Sequence, residues 1–145
     1  MIKLKPFIFF GKKHIDQRGE LEFYNDFDMS QIKRLYFTTH FDTEVIRAWQ
    51  GHTIESRWLC SVKGSFQVKL IEIDNWENPS DQLKVLEYKL TTEKQEILYI
   101  PNGFVNGFKA IQPDSKLMIM SNYGLNEIEN DELRFDKNKW SKWDN

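Results

Sequence analysis

The chain has 145 residues, 40 % of them hydrophobic and 29 % charged, which excludes a disordered tail and a membrane-embedded chain. Twenty basic side chains against 22 acidic ones leave a net charge of −2, so the electrostatic footprint of a nucleic-acid binder is absent. One cysteine excludes an internal disulfide framework and a cysteine-built metal site, and three histidines leave little for a histidine-rich one.

The length predicts one domain over 1–145, and an aromatic share of 14 % suits a β-rich core. Near the start, Pro6-Phe7-Ile8-Phe9-Phe10 is too short for a signal core. Runs rich in Phe, Tyr, Ile, Val and Leu predict strands over 4–10, 19–24, 33–40, 45–50, 57–63, 66–73, 83–90, 96–101, 105–111 and 116–123. Turn chemistry separates them at Asp16-Gln17-Arg18-Gly19, Lys63-Gly64-Ser65, Asn75 to Ser80, and Pro101-Asn102-Gly103. One helical turn is predicted over 26–32 and a short helix over 126–134. The tail from Lys137 to Asn145 carries Trp140 and Trp143, which predicts docking on this domain or on a partner subunit. Short strands at this spacing predict a sandwich or barrel. No apolar run approaches the roughly 20 residues needed to span a bilayer, and the expected location is the cytoplasm.

The stretch from Val45 to Gly64 carries the most information. Gln50 and His52 lie two apart, Arg57 follows after four intervening residues, and Gly64 after six more. Later comes Pro101-Asn102-Gly103, with Asn106 after two intervening residues. Strand alternation puts Gln50 and His52 on one face, and Trp49 and Trp58 on the opposite one, for packing or dimer contact. This layout resembles the two motifs of cupins. The resemblance implies an all-β, cupin-type double-stranded β-helix jelly roll with few short helical turns. It makes Gln50, His52, Arg57 and Asn106 the four positions that hold a metal in the family. Only His52 among them offers a good transition-metal donor, and Arg57 puts a permanent cation where the metal's charge would sit. No metal and no cofactor is expected. A guanidinium in a barrel mouth suits phosphate through paired hydrogen bonds; the alternative is pairing with a core carboxylate such as Glu72.

A narrower resemblance runs from about residue 15 to 124. Asp16 to Gly19, Ile32 to Phe37, Arg47 to His52, Val62 to Ser65, Tyr99 to Gly103 and Ser121-Asn122-Tyr123 follow one another in a family order. They resemble the sugar-nucleotide 3,4-ketoisomerases and 3,5-epimerases of dTDP-4-keto-6-deoxyhexoses, the WxcM-like group. That resemblance implies a metal-independent homodimer with a nucleotide-sugar substrate and no nucleic-acid or membrane partner. Its chemistry is proton abstraction next to a ketone, which needs a base, a donor for the enolate oxygen and anchors for the pyrophosphate.

By this match His52 is the base, imidazole being the side chain suited to proton shuttling near neutral pH. Tyr123 or Tyr36 is the donor, Arg47, Arg57 and Arg18 are the anchors, and Gln50 and Asn106 orient the keto oxygen or sugar hydroxyls. Gln50 replaces a family histidine that acts as base in the epimerases, which counts against a 3,5-epimerase. Asn106 replaces another. The expectation is therefore a 3,4-ketoisomerase, with a non-catalytic sugar-nucleotide binding module as the alternative. His14 and His40 match no motif and read as surface or structural.

Overall fold

The computed structural model describes residues 4–126 and 131–143. Its strands are β1 (Phe7–Phe10), β2 (Lys12–Asp16), β3 (Gly19–Phe23), β4 (Arg34–His40), β5 (Ile46–His52), β6 (Arg57–Lys63), β7 (Ser65–Glu72), β8 (Val85–Thr91), β9 (Glu96–Ile100), β10 (Phe104–Ala110), β11 (Ser115–Ser121) and β12 (Glu132–Arg134). Two antiparallel five-stranded sheets, β1-β9-β6-β11-β4 and β12-β5-β10-β7-β8, face each other as a jelly roll, and β2-β3 stands apart as a hairpin.

Alternation along each strand explains the layers. Phe66, Val68 and Leu70 of β7 and Phe104 and Phe108 of β10 point inward against Leu59, Leu98, Ile100, Leu117 and Ile119 of the facing sheet. Burying each such side chain contributes about 1.5–3 kcal/mol. The outer face of the first sheet is covered by Phe9, Tyr24, Phe27 and Ile32 packing on Trp58, Cys60, Ile97 and Met120.

The tail covers the outer face of the second sheet. Trp143 and Trp140 pack on Trp49, and Gly107 makes the fit possible: a Cβ there would meet Trp143 Cζ2 at 2.8 Å. Two buried ammonium groups hold the tail. Lys69 Nζ donates to Ser141 Oγ (2.7 Å) and to the Lys142 carbonyl (2.6 Å), and Lys109 Nζ donates to the Trp143 carbonyl (3.2 Å). Between the two docking sites expected, the tail takes its own domain. Trp143→Ala is expected to lower stability by about 2 kcal/mol, read from urea unfolding.

Three expectations need correction. No helical turn forms over 26–32; Asp28 Oδ1 accepts from the Ser30 amide (2.9 Å), fixing a turn that lays Phe27 on the sheet. The helix over 126–134 is replaced by strand β12 at Glu132–Arg134, which finds backbone partners along β5, while 127–130 fall outside the described residues. Strand β2 was not foreseen, because Lys12-Lys13-His14-Ile15-Asp16 has no apolar periodicity. It is held by pairing with β3 and by the Arg18 amide donating to Asp16 Oδ1 (2.8 Å).

Candidate active site

The inner faces of the sheets turn polar at one end of the jelly roll. Two adjoining cavities open there, of about 450 and 480 Å³, sharing Tyr36, Gln50 and Arg57 as walls. The first adds Arg47, Asn106 and Arg134. The second adds Arg34, His52 and Glu132. A larger cavity of about 710 Å³ lies by Thr43, Gln67, Glu87, Tyr88, Lys89 and Lys109, and holds none of the motif residues.

Strand β5 supplies Gln50 and His52 on one face, as alternation requires. Arg47 would then face the other way, but the pairing of β5 with β10 is irregular between Asn106 and Phe108. Asn106 opposes Gln50 and Phe108 opposes Arg47, so Arg47 joins the cavity. A bulge changes the phase of a strand and re-aims a side chain in this way.

His52 is buried. Its Nδ1 bonds Glu55 Oε2 at 2.9 Å, and its Nε2, also buried, has no hydrogen-bond partner among the described residues. The bond fixes the ring, with Nδ1 held toward Glu55 and Nε2 left unpartnered among the described residues. Glu55 is the centre of the site. Its Oε2 also accepts from Arg57 Nε (3.0 Å), and its Oε1 accepts from Arg34 Nη2 (3.0 Å) and Ser121 Oγ (2.5 Å). Burial pushes this carboxyl up, but the His52 bond, the Arg57 charge and the Ser121 bond outweigh it and hold it down at about 2. Asp131 places Glu55: its carboxylate accepts from the amides of Thr53 (2.8 Å), Ile54 (2.9 Å) and Glu55 (2.6 Å), bracing the loop between β5 and β6.

Arg57 pairs with Glu55 and not with Glu72. Glu72 ends β7, where Lys5 Nζ reaches its Oε1 (3.2 Å), whereas Glu55 is two residues from Arg57 and buried beside it. Arg57 Nη1 donates to Gln50 Oε1 (3.0 Å), and Gln50 Nε2 donates to Glu132 Oε1 (2.5 Å). Asn106 Nδ2 donates to the Gln50 carbonyl (3.2 Å). The four motif positions are therefore assembled, with Gln50 as a neutral bridge between a guanidinium and a carboxylate.

The remaining candidates divide. Tyr36 lines both cavities, with the Arg34 guanidinium 5.2 Å from its ring centre. Tyr123 is half-buried just past β11 and lines neither cavity. Arg18, with 81 % of its side chain exposed, pairs with Asp16 at the tip of the β2-β3 hairpin and is not brought to this site within one chain. His40 is not a surface residue. It is buried against Phe66 and Phe108, and Arg47 Nε donates to its Nε2 (3.2 Å). Burial, and then the Arg47 charge, push His40 below its ordinary value. Trp49 and Trp58 lie on the outer faces in packing roles.

Sequence reasoning missed Glu55, Asp131, Arg34, Glu132 and Arg134 as site residues. Glu55 left one signal, its position three residues after His52. The others depend on pairings across the chain.

No family model matches the chain, and no curated protein sequence matches it. Solved structures do match. A mutant of the 3,4-ketoisomerase QdtA from Thermoanaerobacterium thermosaccharolyticum, in complex with TDP-4-keto-6-deoxyglucose, is 19 % identical, with a TM-score of 0.70 over 92 % of this chain and 90 % of that one. The dTDP-4-dehydrorhamnose 3,5-epimerase from Bacillus anthracis, with TDP and PPi bound, is 13 % identical, with a TM-score of 0.74 over 95 % and 84 % of the two chains. The WlaRB TDP-quinovose 3,4-ketoisomerase from Campylobacter jejuni is 18 % identical, with a TM-score of 0.67 over 90 % and 92 %. This chain has their fold. The expected all-β jelly roll stands, without helix among the described residues. Among the described residues no helix is long and apolar enough to cross a membrane.

Proposed function

We propose that the protein is an isomerase of a nucleotide-linked 4-keto-6-deoxyhexose, of the 3,4-ketoisomerase type, working in the cytoplasm as a homodimer. The observation that carries this reading is His52: a buried imidazole, fixed through Nδ1 by Glu55, with Nε2 unpartnered among the described residues, beside a cavity whose walls include Arg34, Arg57, Tyr36, Gln50 and Glu132.

The chemistry follows from that geometry. A ketone at C4 acidifies the hydrogen on C3, and His52 Nε2 removes it as a general base. Negative charge gathers on the ketone oxygen, where Tyr36 and Arg57 supply a hydroxyl and a fixed cation. Arg47 and Arg134 hold the diphosphate in the neighbouring cavity. Gln50, bonded to Arg57 and Glu132, has no basic atom, which disfavours a reaction that needs a base at that position. The nucleotide-sugar class is taken from the solved structures with this fold, which carry TDP or a TDP-sugar. Dimerisation is supported by edge strand β4, whose outward Leu35 and Phe37 are 46 % and 48 % exposed.

Proton NMR of dTDP-4-keto-6-deoxyglucose with catalytic protein in deuterated water tests the reading. The expected result is loss of the C3 proton signal with growth of a 3-keto product. Exchange at C3 and C5 with the ketone left at C4 would make the protein an epimerase. Broadened ligand lines without exchange would make it a binding module.

A further inference from the structure

We infer that Glu132 is the second proton-transfer group of this site: His52 moves the carbon-bound proton of the substrate, and Glu132 moves the oxygen-bound one. This rests on the ketoisomerase reading and deepens it. Strand β12 pairs with β5 so that Glu132 lies directly opposite His52 and Arg134 opposite Gln50. Side chains directly opposite in an antiparallel pair share one face, with Cβ atoms about 5 Å apart. Glu132 and His52 accordingly line the same cavity.

The carboxylates of the site are not equivalent. Both oxygens of Glu55 are taken up by His52, Arg57, Arg34 and Ser121, and both of Asp131 by the amides of the β5–β6 loop and the Thr53 hydroxyl. Each is buried. Glu132 is different. Gln50 and Arg134 both bond its Oε1, which fixes the group and leaves Oε2 without a partner among the described residues. Its side chain is 32 % exposed, at the cavity wall. Gln50 stands where the family pattern has a histidine, so the acid–base capacity lost at that position returns on the carboxylate hydrogen-bonded to it.

Moving a ketone from C4 to C3 requires two proton relocations, whereas epimerisation requires one. His52 Nε2 takes the C3 proton, the C3–H pair becomes the C3=C4 bond, and the ketone π pair moves onto O4. Glu132 Oε2 takes the O3 proton, the O3–H pair closes the new ketone at C3, and the C3=C4 pair takes the proton from His52 at C4. Glu132 returns its proton to O4. Both groups end as they began, with no co-reactant. Glu132 thereby makes the difference between returning a proton to C3 and completing ketone migration.

The test follows two signals in deuterated water, deuterium at C3 of recovered dTDP-4-keto-6-deoxyglucose and formation of the 3-keto sugar, for the native protein, Glu132→Gln and Glu132→Asp. TDP titration of each variant confirms an intact site. Glu132→Gln is expected to retain C3 exchange while product formation falls about 100-fold, and Glu132→Asp to recover part of it. Product at the native rate in Glu132→Gln would overturn the inference. So would a parallel loss of exchange and product, which would make Glu132 only a brace for Gln50 and Arg134. A native protein without C3 exchange would overturn the functional reading itself, before any variant is measured, and this inference with it.

Discussion

His52→Asn is expected to cut turnover of the 4-keto sugar about 1000-fold while TDP still binds. Positioned general acid–base groups contribute about 100- to 10,000-fold, and a 1000-fold loss corresponds to about 4 kcal/mol of transition-state stabilisation. Asparagine is the informative replacement because its amide can donate to Glu55 Oε2 as the Nδ1–H does, so the buried carboxylate keeps a partner there. What it cannot supply is Nε2, the buried nitrogen without a protein partner. Binding should survive because the proposed phosphate anchors, Arg47 and Arg134, belong to the neighbouring cavity. Steady-state rates paired with a TDP titration separate the two effects. Full turnover in the variant would remove His52 from the mechanism; loss of TDP binding together with turnover would make it a structural residue.

His52 was legible in the sequence because the information is local. Its relation to Gln50 is set by strand alternation within β5, and its relation to Arg57 by one short loop. The central strands were legible for the same reason: β6, β7, β10 and β11 are dense in apolar residues that the jelly roll buries. The edge elements were not. Lys12-Lys13-His14 in β2 and Glu132-Leu133-Arg134 in β12 show no apolar pattern, and each is a strand only because a partner offers backbone groups. Glu132 therefore reached the site through a pairing 80 residues long, which no local pattern encodes. Arg47 was placed by order alone; without the irregular pairing on β10, alternation would have sent it to the face of Trp49. Tyr123 and Arg18 are the converse. They fit the order of motifs, yet within one chain neither lines the cavities.

Glu55→Gln is expected to lower stability by on the order of 3 kcal/mol at pH 7, with the difference from the native protein vanishing in acid. Glu55 is buried among three groups that carry or can carry positive charge, Arg34, Arg57 and His52. Removing one member of a buried ionic network leaves the others uncompensated, at about 3–5 kcal/mol. The pH dependence isolates the charge from the shape. The carboxyl is held at about 2 in the folded chain against an ordinary value of 4.5. A depressed carboxyl stabilises the fold above its unfolded value, and that contribution is lost as pH falls through the folded value. Stability from Glu55 should thus be complete at pH 7, begin to fall below pH 4.5 and be gone near pH 2, where a protonated glutamate and a glutamine are nearly the same group. Urea unfolding of both proteins between those limits measures it. A constant difference across the range would mean that Glu55 acts through packing alone, and His52 would then lose the charged partner that makes its Nε2 the free nitrogen of the site.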